Sequence, residues 1–327
     1  MKAIDLINLS RSYWESKVLF VAANLKVFTL LDQEKKKAKE VAASLNLNHL
    51  AIVRFLEALV SLKLLKKEGG YYKNTKTSSL YLVEGKDTYL GHAFHHSENL
   101  WEYWEALGNS VKHGKPVAFK LTKKTSYPHR LKDYLYAMDD LSSILAQEVG
   151  SYLKISNYKE MLDLGGGVGS YALSFAKMNP DLKVTIFELR DTLKHAKKFI
   201  QRAKLKSQVK AIAGNCLEES LGKDQYDLIF ISNLVHIYDF PSNQKIIDKA
   251  YQALIEDGKI AIHGFALNNH QTTPKEATLF DLNMLIGTIS GQVYPQDEIK
   301  RWLKEVGFKQ TRSYGTALKT KVITAIK

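Results

Sequence analysis

Met161-Leu162-Asp163-Leu164-Gly165-Gly166-Gly167-Val168-Gly169-Ser170 is the stretch that decides the fold of this 327-residue chain. An apolar strand, MLDL, runs into a glycine turn, and the turn opens a helix with YALSFAKM (171–178). Strand, glycine turn and helix in that order make a ligand site. The glycines let the backbone turn tightly and approach a ligand closely, and the start of the helix attracts an anionic group. Glu188 closes the next apolar run, VTIFEL (184–189), and stands 19 residues after Gly169. A carboxylate at that point can accept hydrogen bonds from both hydroxyls of a ribose.

Two ligands compete for this pattern. A dinucleotide needs glycines spaced G-x-G-x-x-G; Gly165 and Gly167 comply, but Ser170 takes the third place. The spacing Asp-x-Gly-x-Gly-x-Gly, from Asp163 to Gly169, is instead that of S-adenosylmethionine enzymes. Two later features favour the second ligand. Gly214-Asn215-Cys216 follows the third strand, where such enzymes place a residue against the adenine, and the fourth strand, YDLIFIS (226–232), leads directly to His236.

Outward from the glycine turn, strands and helices alternate to the end of the chain. VKAIA (209–213), YDLIFIS, KIAIHGF (259–265) and VITAIK (322–327) are the further strands. This alternation predicts an α/β fold, a Rossmann-like parallel sheet with helices on both faces. Upstream the texture is helical. Val18 to Leu31 reads as one buried helix, apolar on more than one face. In AKEVAASLNLNHLAIVRFLEALVSLKLL (38–65), Ile52, Val53, Leu56, Leu59 and Val60 follow a helical period. Gly69-Gly70 then punctuates a hairpin, which makes the layout that of a winged helix. Tyr89 to Val111 is helical and rich in aromatic residues, residues 111–130 with Pro116 and Pro128 read as an exposed connection, and helix returns from Leu131 to Lys154. The expected division is 1–95, 96–154 and 155–327.

Composition narrows the function. Hydrophobic residues make up 45% and charged residues 25%, enough apolar material for a full core. The net charge of +13 is spread along the chain and not gathered into a patch. A winged helix still raises the competing reading of a DNA-binding regulator. The helix that would read bases, HLAIVRFLEALVSLKLL (49–65), carries only Arg54 and Lys63 as cations and suits a partner subunit better than a DNA groove. No nucleic-acid partner is therefore expected. The run 18–31 is too short for a membrane span and carries Asn24 and Lys26, so no membrane is expected either. Cys216 is the single cysteine, which excludes an intrachain disulfide and a thiolate metal cluster; no metal site is expected. Asp5 and Arg11 interrupt any export signal, and a cytoplasmic location is the expectation.

Across nearly its whole length the chain resembles the class I S-adenosylmethionine-dependent O-methyltransferases of the plant caffeate and animal acetylserotonin type, with their bacterial relatives. The resemblance is carried in order by AKEVAASLNLNHLAIVRFLEALVSLKLL (38–65), WEYWEALGNSVKHGKP (101–116), LDLGGGVGSYALSFAKMNP (162–180), VTIFELRDTLKHA (184–196), YDLIFISNLVHIYDFPSNQKIIDKAYQALIEDGKIAI (226–262) and DEIKRWLKEVGF (297–308). It implies an N-terminal winged-helix dimerisation domain, hence a homodimer, and S-adenosyl-L-methionine as cofactor. The family's cofactor loop falls on Asp163 to Gly169, with Asp163, Gly165, Gly166 and Gly167 as its contacts, its ribose carboxylate on Glu188 with Leu189 beside it, and its adenine-contacting Gly-Asp pair on Gly214-Asn215, where Asn215 departs from the pattern, with Cys216 next to it. A serine that touches the cofactor from the preceding helix matches Ser142. Methionines of the acceptor pocket match Met138 and Met284; the aromatic-rich stretch around Phe94, Trp101 and Trp104 points, beside them, to a flat apolar acceptor. The general base falls on His236, within Leu234-Val235-His236-Ile237-Tyr238-Asp239.

The chain also departs from the pattern. Ser232 stands where some members carry a lysine on strand four. The two carboxylates that accompany the family's base fall near His263-Gly264 and on Val293, and neither is present. His263 is the nearest residue in register that could orient His236. The expectation is methyl transfer to a small aromatic acceptor, most simply at a hydroxyl. C- or N-methylation, or a non-methylating use of the same cofactor, are the alternatives on this scaffold.

Overall fold

Met161, Leu162, Asp163 and Leu164 are all buried, because the strand they form lies inside a sheet covered on both faces. The structure, a computed structural model, describes residues 1–116 and 127–327, which form two units, Met1–Trp101 and Glu102–Lys327.

The first unit contains helices α1 (Ala3–Arg11), α2 (Tyr13–Asn24), α3 (Val27–Leu30), α4 (Ala38–Leu45), α5 (His49–Ser61), α6 (Lys76–Tyr81) and α7 (Gly91–Asn99). Strands β1 (Lys36–Lys37), β2 (Leu65–Glu68) and β3 (Tyr71–Asn74) form an antiparallel sheet in the order β1-β3-β2. Gly69 and Gly70 both take positive φ at the β2–β3 turn, a conformation open to glycine without strain. The expected single helix over Val18–Leu31 is broken: Lys26 adopts a left-handed φ of 56°, ending α2 and restarting as α3. Val27, Phe28 and Leu31 then enter the same core as Val41, Ile52, Leu56 and Leu59. Strand β1 lies in a lysine run with no strand signature; its register pairs Lys36 with Tyr72.

Helix α8 (Trp101–Glu105) crosses the boundary, and α9 (Leu107–His113) follows. Part of the expected connection, 117–126, lies outside the described residues. Its end is helical: α10 (Tyr127–Leu153) begins four residues before Leu131. Pro128 falls in the first turn of α10, where a missing N–H costs no intrahelical bond.

The rest of the second unit is α/β, as read. Strands β4 (Glu160–Leu164), β5 (Lys183–Glu188), β6 (Val209–Ala213), β7 (Tyr226–Ser232), β8 (Leu254–Gly264), β9 (Lys309–Gly315) and β10 (Lys321–Ile326) form a seven-stranded sheet in the order β6-β5-β4-β7-β8-β10-β9. Only the pairings of β10 are antiparallel. The helices are α11 (Ser170–Met178), α12 (Arg190–Ala203), α13 (Phe240–Ala253), α14 (Lys275–Gly287) and α15 (Gln296–Val306). Side chains alternate across β7. Leu228 and Phe230 pack with Val149, Leu153 and Phe175 from α10 and α11, whereas Ile229 and Ile231 pack with Ile246, Ile247 and Trp302 from α13 and α15. The chain leaves β4 toward β5 and returns on the other side at β7. That reversal opens a crevice at the carboxyl ends of β4 and β7, where open α/β sheets bind ligands. No helix among the described residues is long and apolar enough to cross a membrane.

Candidate functional site

The crevice holds a cavity of about 300 Å³, and the carboxyl ends of four parallel strands build its wall. Asp163 comes from β4, Gly165, Gly166 and Gly167 from the turn after it, and Glu188 and Leu189 from the end of β5. Asn215 and Cys216 follow β6, Ser232 ends β7, and Ser142 and Met138 project from α10. All ten residues proposed from sequence to hold the cofactor therefore line one cavity, together with Met138.

Asp163 is the unusual group. It is 1% exposed, and neither carboxylate oxygen has a geometrically sound hydrogen-bond partner among the described residues. Burial, then repulsion from Glu188, pushes its pKa up to about 7, and the nearby backbone N–H of Ala172 opposes the rise. A Cβ on Gly166 would stand 2.5 Å from Asp163 Oδ2, so only a glycine lets the turn pass over this carboxylate. Gly165, Gly167 and Gly169 all take positive φ, which winds the turn tightly before α11 begins. At the start of that helix Ser170 Oγ donates to Asp139 Oδ1 at 2.6 Å.

Glu188 is held by the backbone. Its Oε2 accepts from Gly167 N at 2.9 Å and its Oε1 from Leu189 N at 2.7 Å. Burial raises its pKa, and these two N–H groups oppose the rise. A carboxylate has about four acceptor positions, so lone pairs remain for two ligand hydroxyls. Asn215 Oδ1 caps a turn by accepting from Leu217 N at 3.0 Å, which leaves one lone pair for a ligand amino group.

Three sequence candidates lie apart from the cavity lining. Met284 is buried in a small cluster with Leu267, Ala277 and Val293, beside Phe265 and Phe280. Trp104 is half-buried on α8. His236 sits in the short turn after β7, buried, with the edge of its ring 77° to Phe280 at a centroid distance of 4.9 Å. Its ring forms no hydrogen bond among the described residues. Burial holds its pKa down to about 4.

His263, the nearest residue in register that could orient His236, makes no hydrogen bond to it, because both of its ring nitrogens are engaged elsewhere. Nε2 meets Thr320 Oγ1 at 2.9 Å, and Nδ1 meets Ser232 Oγ at 2.9 Å and Tyr171 Oη at 3.4 Å. The two imidazoles share only the lining of a void of about 10 Å³, room for about one water. At Val293, where the family's second carboxylate is missing, a carboxylate arrives from another element: Asp281 Oδ1 accepts from Val293 N at 2.7 Å.

Tyr134, Tyr171 and Tyr238 also line the cavity and were not singled out from sequence. Tyr171 directly follows the glycine turn and its serine, but which way its ring points depends on packing against Phe175 and Phe230.

Residues 88–309 match the O-methyltransferase domain family, and residues 7–84 match the O-methyltransferase dimerisation domain family. The tetracenomycin polyketide synthesis 8-O-methyl transferase TcmO of Streptomyces glaucescens is 24% identical, over 94% of this chain and 92% of its own. The N,N-dimethyltransferase OxyT of Streptomyces rimosus is 26% identical, over 100% and 97%. The crystal structure of human N-acetylserotonin methyltransferase superposes with a TM-score of 0.90 at 24% identity, covering 100% of this chain and 98% of that one.

Proposed function

The chain belongs to the O-methyltransferase family, and on that premise we propose that it transfers the methyl group of S-adenosylmethionine to a hydroxyl of a small aromatic acceptor. The observation that carries the cofactor reading is Asp163, a buried carboxylate with both oxygens unpaired among the described residues, beneath a glycine turn. Such a group calls for a cation, because an isolated charge in a dry site is costly. S-adenosylmethionine brings an ammonium and a sulfonium, and a nicotinamide dinucleotide brings a pyrophosphate that Asp163 would repel. Asp163 would face the cofactor's positive end and Glu188 its ribose, with Asn215 and Cys216 toward the adenine and Ser142 and Ser232 completing the polar wall.

The bound cofactor supplies a methyl group already activated on sulfur. What remains for the chain is to align the acceptor, exclude water and take up a proton. His236 stays neutral in its buried turn, so its imidazole can receive the acceptor's hydroxyl proton as the new bond forms. Met138, Met284 and Trp104 are assigned to the acceptor pocket, whose apolar character suits a flat ring. Residues 1–95 are assigned as a winged-helix dimerisation domain, 96–154 as a connector that adds to the acceptor pocket, and 155–327 as the cofactor domain of a cytoplasmic homodimer.

One observation favours a second reading. The ring of His236 has no carboxylate or other hydrogen-bond partner among the described residues, and one similar protein is an N,N-dimethyltransferase. An amine acceptor attacks through its lone pair and has less need of a base.

Two measurements test these readings. Calorimetry with S-adenosylmethionine, S-adenosylhomocysteine and NAD is expected to show binding of the first two only; tight NAD binding without them overturns the cofactor assignment. A screen of phenols, amines and carbon acids with methyl-labelled cofactor then separates oxygen from nitrogen and carbon acceptors.

A further inference from the structure

We propose that Asn243 is a positioning residue, which fixes His236 by gripping the backbone of its turn on both sides of the ring. The inference rests on the reading of His236 as the base. The ring of His236 has no hydrogen-bond partner among the described residues, so its aim has to come from the backbone that carries it and from packing. His236 is the middle residue of a short turn, Val235–Ile237, closed by Ile237 N donating to Leu234 O at 3.0 Å. Asn243 Nδ2 donates to Val235 O at 2.9 Å and to Tyr238 O at 3.1 Å, one carbonyl before the base and one after it. Both partners are backbone carbonyls, which only accept, so the amide has one orientation: turned over, its oxygen would face two oxygens. Tyr294 Oη donates to the same Tyr238 O at 2.7 Å and fills its second lone pair.

The grip has a firm base. Asp239 Oδ1 caps α13 by accepting from Ser242 N at 3.0 Å, and Ile246 and Ile247, one turn on from Asn243, are buried in the same cluster as Trp302. Asn243 is itself fully buried, and its Oδ1 has no partner among the described residues. An unpaired buried oxygen is costly, so what the amide contributes lies in its nitrogen, and the nitrogen holds the turn. A second segment presses on the same turn. A Cβ on Gly291 would stand 2.4 Å from His236 O and 3.1 Å from Ile237 O. Gly291 does not take a positive φ, so close approach to the His236 carbonyl is what calls for glycine there. Leu234, Ile237 and Tyr238 line the cofactor cavity, whereas Val235 and His236 line the small void shared with His263. Holding this turn therefore sets the base relative to the cofactor.

Two substitutions disturb the turn in different ways. Asn243→Leu roughly keeps the volume and removes both donors, and Gly291→Ala pushes one methyl group against the His236 carbonyl. With the best acceptor from the screen, kcat is measured at saturating cofactor and acceptor for each variant, alone and combined with His236→Ala. Circular dichroism and thermal melting identify the folded variants. Each substitution alone is expected to lower kcat about 10- to 100-fold, the scale for a misplaced catalytic group. In the His236→Ala background the same substitutions are expected to change kcat less than about threefold, because the group they aim is already gone. Folded Asn243→Leu protein with wild-type kcat, or equal losses in the two backgrounds, overturns the inference. Proton NMR of the wild type gives a readout independent of any variant's folding. The side-chain amide protons of Asn243 are expected to exchange slowly with solvent, and exchange as fast as that of an exposed amide overturns the grip. A loss below about tenfold in His236→Ala alone removes the reading of His236 as the base, and this inference with it.

Discussion

Glu188 Oε2 accepts the backbone N–H of Gly167 at 2.9 Å, so the carboxylate that ends β5 is tied to the glycine turn that follows β4. Neighbouring parallel strands thereby deliver their functional ends to one point. The bond does two things, since it fixes the turn and leaves the remaining lone pairs of the carboxylate directed into the cavity.

Glu188→Ala is expected to weaken S-adenosylmethionine binding by roughly 1–3 kcal/mol, the scale for stranding buried ligand hydroxyls. Glu188→Gln is expected to lose less, because its amide oxygen can still accept from Gly167 N or from a ribose hydroxyl. Calorimetry on both variants checks this, and equal affinity in wild type and Glu188→Ala would remove Glu188 from the ribose site.

Asp163 sets a pH dependence whose sign can be worked out. Its pKa in the folded protein is about 7, above the ordinary carboxylate value of 3.8, through burial and then Glu188. Between about pH 4 and 7 the folded state therefore holds a proton that the unfolded state releases, and stability falls as pH rises through that window. A cationic ligand prefers the ionised carboxylate, so the affinity for S-adenosylmethionine is expected to rise with pH up to about 7 and then level off. Asp163→Asn is expected to flatten that profile, weaken the cationic cofactor tenfold or more, and raise the melting temperature at pH 8. Comparison with the variant cancels titration of the ligand's own groups. A wild-type profile that matches the variant's would show that Asp163 does not face the cofactor's charge.

Assembly is expected to depend on the first helix. Ile4 is 56% exposed, Leu9 63% and Trp14 52%, with Leu6, Ile7 and Tyr13 also open to solvent, and α1 buries none of its residues within its own unit. An apolar surface of this kind calls for a cover, and it falls within or next to the region that matches the dimerisation family, residues 7–84. Ile7→Glu with Leu9→Glu is expected to convert a dimer to a monomer in sedimentation velocity, with the helical circular dichroism largely retained. A dimer unchanged by both charges would place the interface elsewhere.

The sheet was legible because each of its parallel strands is a short apolar run closed by a turn, and ligand-facing residues stand at or just after the ends of such runs. Asp163, Glu188 and Asn215 can be picked out on that ground, and Ser232 only through the family resemblance. What was not legible depends on contacts distant in sequence. The partners of His263 come from residue 232 on one side and residue 320 on the other. Strand β1 has no β-branched or aromatic residue and is held by Tyr71 and Tyr72 across the pair. The apolar run at 18–31 reads as one buried helix, but a left-handed turn at Lys26 divides it and folds its second half into the unit's own core, and the exposed apolar face lies upstream.

The last expectation concerns His236. Burial keeps its imidazole neutral well below physiological pH, at a pKa of about 4, so the base form is present at every pH in which the enzyme is assayed. Turnover is therefore expected to show no His236 titration between pH 6 and 9, and to decline on its account only as pH falls toward 5 and below. A base of such low pKa is too weak to ionise a phenol, near pKa 10, before the methyl group moves. It serves by taking the proton while the carbon–oxygen bond forms and the oxygen becomes strongly acidic. General-base catalysis contributes about 10²–10⁴-fold, so His236→Ala is expected to lower kcat by that range while cofactor affinity stays unchanged. Phe280, whose ring meets that of His236, gives a control: Phe280→Leu is expected to alter KM for the acceptor more than kcat. A loss of less than about tenfold in His236→Ala, on an acceptor that wild type methylates well, would mean that no proton has to be removed there. An amine or carbon acceptor would then fit the site better than a hydroxyl.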